Sequence, residues 1–204
     1  MNRKLGMVSS IITLMAVLCF ALSMILGNNT GSYIASMFIA WGFVPMICSF
    51  ASKNEKQTKA FGYTSVAFSA VYAVFIMIVY FAQITTVNSG ELTEQAGQLL
   101  DYNKFGLFFA YNLLGYAFMA LSTFFIAFTI SPQNKIDKWL KALLLIHGVF
   151  AVSCVIMPML GIFKPEMAGG DLIGILVLEF WCAYFIPVCI LAFIHFKRNR
   201  RNNS

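Results

Sequence analysis

Charge is scarce in this chain. Only 11% of its 204 residues are Asp, Glu, Lys or Arg, less than half the ~25% of an ordinary soluble domain, while 60% are hydrophobic. A water-soluble fold of this size cannot hide so much apolar surface, because much of its exterior faces solvent. The exterior is therefore expected to meet lipid, and the 21 Phe and 11 Met suit contact with acyl chains and loosely packed helices. Catalytic signatures are missing as well. There is no H-E-x-x-H, no G-x-S-x-G and no phosphate-binding Gly loop, so no enzyme class is indicated. Cys19, Cys48, Cys154, Cys182 and Cys189 all fall in apolar runs. None has C-x-x-C spacing or a nearby His to complete a zinc pattern, and no metal or cofactor is expected. The net charge of +6 is spread over separate segments without an aromatic-interleaved patch, which argues against a nucleic-acid partner.

What is present is a series of long apolar runs. A helix needs about 20 apolar residues to cross a hydrocarbon core of roughly 30 Å. Six such runs occur, at about 6–26, 33–51, 61–87, 105–130, 141–163 and 172–196. Backbone polar groups in lipid must bond internally, so each run is predicted to be helical. The fold class expected is an all-α transmembrane bundle forming a single integral membrane domain over 1–204. Arg3 and Lys4 resemble the start of a signal peptide. The apolar stretch that follows exceeds the usual 7–15 residues, so it reads as an uncleaved first helix.

Lys and Arg set the orientation. With the N-terminus inside, the inner segments hold Arg3 and Lys4; Lys53, Lys56 and Lys59; Lys135, Lys138 and Lys141; and Lys197, Arg198, Arg200 and Arg201. Those are twelve of the 14 basic residues, leaving Lys104 and Lys164 outside with Glu91, Glu94, Asp101, Glu166 and Asp171. The expectation is N-in and C-in, in a plasma membrane. In the 88–104 loop, Ser89 and Thr93 are candidate caps of a short helix carrying Leu92, Ala96, Leu99 and Leu100 on one face, placed as a lid or spacer. Ser131-Pro132 is expected to cap the fifth span. Asn28-Asn29-Thr30 matches a glycosylation sequon in a loop so short that a turn is the better reading.

Few residues offer chemistry. Glu179, in LVLEFWCAYF, is the one acid well inside a span, roughly 10 Å deep at 1.5 Å per residue. A carboxylate there must be protonated or paired and marks a functional site by default; proton exchange would suit it. Asn112 lies about seven residues from the outer end of its helix, a depth like that of Glu179 at 1.5 Å per residue, and Gln83 near the outer end of its own, with Tyr80, Tyr111 and Tyr116 within a turn or so of these depths. Should the third, fourth and sixth spans pack together, Glu179, Asn112, Gln83 and Tyr80 could line one outward cavity. The plainer reading of Asn112 and Gln83 is hydrogen-bonded glue between helices. Small and polar residues recur at helical spacing in three spans: Ser9, Thr13, Ala16, Phe20, Ser23 and Gly27; Ser65, Ser69, Tyr72, Ile76, Tyr80 and Gln83; and His147, Ala151, Cys154, Pro158 and Gly161. Such stripes predict close packing. His147 and His195 are both expected near inner helix ends, a weak pH-sensing or metal pair. Pro45, Pro158 and Pro187 interrupt the second, fifth and sixth spans.

The segments FGLFFAYNLLGYAFMALSTFF (105–125) and LVLEFWCAYFIPVCILAFIHFK (176–197) resemble small, uncharacterised bacterial multi-pass membrane proteins. That resemblance implies a bacterial plasma membrane and no mechanism. The leading expectation is a small solute- or proton-linked transporter or binding protein with its site around Glu179, Asn112, Gln83 and Tyr80. The alternative is a structural or accessory subunit, with a membrane-protein partner or a second copy of the chain as its associate.

Overall fold

The structure is a computed structural model describing residues 1–52, 56–163 and 172–198. Lys53, Lys164, Glu166, Asp171, Arg200 and Arg201, used above for orientation, lie outside the described residues. Among the described residues there is no strand, and eight α-helices form: α1 (Asn2–Ile25), α2 (Asn29–Ala51), α3 (Lys59–Ala82), α4 (Glu94–Leu100), α5 (Leu107–Ala127), α6 (Lys135–His147), α7 (Val149–Met159) and α8 (Leu172–Arg198). A 3₁₀ turn, Lys56–Thr58, leads into α3, and a π-helical turn, Gln83–Val87, prolongs it. Six helical segments are long and apolar enough to cross a membrane. They mark a membrane-embedded protein, and their ranges follow the six runs in the sequence.

The first two spans show how local sequence sets boundaries. Gly27 takes φ +65°, a left-handed conformation that suits glycine. It ends α1 with paired bonds, Gly27 N–H to Met24 O and Asn28 N–H to Ser23 O. Asn28 then caps α2, its Oδ1 accepting from Gly31 N–H at 2.9 Å. The sequon is thus the cap and first two residues of α2, directly after the turn at Leu26–Gly27. The fifth span departs from expectation at its start. Its helix begins at Lys135, and the cap is Asn134, whose Oδ1 accepts from the N–H groups of Ile136 and Asp137. Ser131 and Pro132 precede that cap. Asp137 Oδ2 in turn accepts from Asn134 Nδ2 at 2.7 Å, so the cap is reciprocal. Proline does not break the span: Pro158 sits inside α7, as Pro45 and Pro187 sit inside α2 and α8. The break falls at Gly148, between α6 and α7.

The spans pack in chain order as a closed ring. α1 lies against α2, α2 against α3, α3 against α5, α5 against α6 and α7, and α6 against α8, which returns to α1. α2 is the most enclosed span and α6–α7 the least. Small residues permit the closest approaches, as expected where lipid supplies no hydrophobic drive between helices. A Cβ on Gly42 would lie 2.4 Å from Thr13 Oγ1. Ser65 and Ser122 exchange hydrogen bonds between α3 and α5, each hydroxyl donating to the other's carbonyl at 2.7 and 2.9 Å. The predicted α3 stripe is buried at all six positions, and Ser9, Thr13, Ala16 and Phe20 are buried on α1. The fifth-span stripe is fully buried only at His147 and Ala151, because α7 packs mainly on α5 and leaves most of its surface outward.

Candidate functional site

At the end of the bundle away from the chain termini, Gln83 governs the connection between α3 and α5. Its side chain is buried and bonds the loop backbone twice, Nε2 donating to Leu100 O at 2.7 Å and Oε1 accepting from Tyr102 N–H at 2.9 Å. Thr93 caps α4 as expected, its Oγ1 accepting from Ala96 N–H. Asp101 accepts from Asn103 N–H at 2.9 Å, which sets the 3₁₀ turn Tyr102–Lys104. The loop therefore lies over the bundle with Tyr102 and Asn103 directed inward.

Beneath them is a cavity of about 60 Å³, walled by Tyr33 of α2, Tyr80 of α3 and Tyr102, with Phe20 and Met24 of α1 and Leu178 of α8. The three tyrosine rings pack on one another, Tyr33 on Tyr80 at 5.4 Å between centroids and Tyr102 about 6 Å from each. Asn103 Nδ2 donates to Tyr33 Oη at 3.4 Å. Burial and the adjoining Tyr80 and Tyr33 phenols hold the Tyr102 hydroxyl well above its ordinary range, so it stays neutral.

A polar layer continues inward. Asn112 Nδ2 donates to Tyr102 Oη at 3.4 Å, and the Tyr80 hydroxyl lies among Ser36, Tyr116 and Asn112. Asn112 Oδ1 and Tyr72 Oη are buried and have no hydrogen-bond partner. An unpaired buried polar atom costs about 1–3 kcal/mol, so each of these two atoms stands as a local cost behind the cavity wall.

Tyr80, Gln83 and Asn112 are thus brought together around Tyr102. Tyr80 is wall, Gln83 is the clamp on the loop, and Asn112 is one hydrogen bond behind the wall. Glu179 stands apart. It projects from the flank of α8 shared with Cys182, half-buried, with Oε1 enclosed and unpartnered, while its neighbour Leu178 reaches the cavity. Tyr33, Ser36, Tyr102 and Asn103 were not singled out in the sequence. For α2 a signal existed, since Ser32, Ser36 and Ala40 form a small-residue stripe at spacing four, one position from Tyr33. Tyr102 and Asn103 carried none, because a surface lid does not imply an inward ring.

Comparison adds no identity. No family model, curated protein or solved structure matches the chain. The resemblance drawn from 105–125 and 176–197 therefore gains no support, and the geometry must carry the argument.

The histidines occupy two further sites. α6 starts at Lys135, among charged residues, so His147 lies about 12 residues along it, roughly 18 Å at 1.5 Å per residue, level with Thr123, one turn from the end of α5. Trp181 Nε1–H donates to His147 Nε2 at 3.2 Å. Indole can only donate, so Nε2 is the acceptor and Nδ1 carries the proton, facing Thr123 Oγ1 at 2.7 Å. That ring is neutral and packed against Tyr184 and Phe185. His195 instead pairs with Asp137 at 2.7 Å, a carboxylate that the sequence had not placed beside it. Among the described residues no three His, Cys, Asp or Glu side chains cluster as a metal site.

Proposed function

We propose that the protein is a multi-pass component of a bacterial plasma membrane, with both termini cytoplasmic, that binds and passes a small polar solute through the tyrosine-walled cavity. The described residues Arg3, Lys4, Lys56, Lys59, Lys135, Lys138, Lys141, Lys197 and Arg198 fall in segments at the end opposite the cavity, which supports a cytoplasmic placement of that end and an outward cavity. The observation that carries the solute reading is the continuity from the cavity through Tyr102 to Asn112, whose buried oxygen lacks a partner. A purely structural layer would be expected to close that bond internally. Glu179 supplies the proton-linked form of the reading: its enclosed, unpartnered oxygen would take up and release a proton beside the solute path rather than within it.

The test is reconstitution into liposomes loaded with a pH dye and offered small amines, amides and amino acids. Solute uptake that falls at least tenfold in Asn112→Ala, with the variant still monodisperse, supports the reading. Uptake unchanged in that variant removes the cavity from the function, and an unchanged proton signal in Glu179→Gln removes Glu179. One observation favours an accessory role instead. Glu179 lies next to the outward Leu176, Val177 and Phe180 of α8, an apolar face on which a partner helix could pack. A stoichiometric partner in crosslinked native membrane, lost in Glu179→Gln, would support that role.

A further inference from the structure

Resting on the solute reading, we propose that the cavity takes a small organic cation, an alkylammonium of about the size of methylammonium. Three tyrosines and Phe20 are four of the nine residues that line it, and an aromatic ring presents the negative part of its quadrupole to a cation. Among the described residues no Lys or Arg lines that wall, so these residues offer a carboxylate or phosphate no counter-charge there. The Asp101 carboxylate, which accepts from Asn103 N–H at 2.9 Å, is near enough to act electrostatically on the Tyr33 hydroxyl. Lys104 lies exposed, three residues on. The positive end of α2 at Asn29 is offset by the carbonyl end of α1, which stops at Ile25 beside it. Hydrogen-bond acceptors for an N–H group are at hand in the phenol oxygens of Tyr33 and Tyr102 and in the amide of Asn103. The volume of about 60 Å³ is several times the ~15 Å³ that one water requires, and suits a guest of a few heavy atoms.

Calorimetry on the detergent-purified full chain tests this with methylammonium chloride, the neutral acetamide and sodium acetate. Saturable binding of methylammonium, with acetamide and acetate at least tenfold weaker, is expected. Tyr33→Phe and Tyr102→Phe keep the ring and should lose less than about threefold, whereas Tyr33→Leu and Tyr102→Leu should lose about tenfold. Asp101→Asn retains a side-chain acceptor for Asn103 N–H and leaves the core untouched. It should weaken binding severalfold and flatten its salt dependence, so the proposal stays testable if a leucine variant fails to fold. Equal binding of acetamide and methylammonium overturns the cation while leaving a solute site in place, as does loss of binding in the Phe variants as large as in the Leu variants. Absence of binding by all three probes, with no uptake in liposomes, overturns both readings.

Discussion

Gln83 shows how a single amide can decide a local structure. Both halves of its side chain are committed to loop backbone at Leu100 and Tyr102, 17 and 19 residues further along the chain. Gln83→Leu would leave a carbonyl and an N–H unpaired in a part-buried setting, at about 1–3 kcal/mol each. The expected result is faster hydrogen exchange and proteolysis across 88–104, with the spanning helices unchanged. A loop as protected as in the parent would show that its hold lies elsewhere. The sequence revealed that Gln83 faces inward, since it closes the α3 stripe. It did not reveal the partner, because a backbone partner has no side-chain signature. Glu179 was equally legible as an isolated acid. Its flank on α8 was not, because that depends on which side α1 and α6 take, and helical periodicity carries no such information.

Among the elements, the tightest constraint is the seam between α1 and α2. A methyl group on Gly42 would meet Thr13 Oγ1 at 2.4 Å and the Thr13 backbone nitrogen at 2.9 Å. Backbone cannot rotate out of the way, so Gly42→Val should destabilise the bundle by about 1–3 kcal/mol, read as a lower unfolding temperature in detergent. Gly97 provides the contrast. It sits in α4 with open space at its Cβ position, and Gly97→Ala should be neutral or slightly stabilising, by about 0.5–1 kcal/mol. If both variants melt like the parent, helix contact at Gly42 does not limit stability. The element boundaries were readable wherever hydrocarbon thickness imposed them. They were misread at the fifth span, where the Asn134–Asp137 cap lets a helix start among charged residues that an apolarity criterion leaves out.

For the whole molecule, the proposed orientation makes a direct prediction. The native cysteines all lie within spans, out of reach of a membrane-impermeant maleimide. A Ser89→Cys variant should label in intact cells, and a Lys56→Cys variant only after the membrane is opened. The reverse pattern would invert the assignment of the cavity to the outer face. Six crossings could be counted from the sequence because lipid enforces their length. The ring could not, since the surfaces that close it are chemically like those that face lipid.

That closure places an uneven burden on α8. Phe196 fills the notch at Gly6, His195 holds Asp137, and Trp181 bonds His147, so α8 joins both the earliest and the latest of the preceding spans. Without α8 the other five spans form an open arc with two free edges in the lipid. Removing that one helix therefore leaves two raw seams rather than one missing stave.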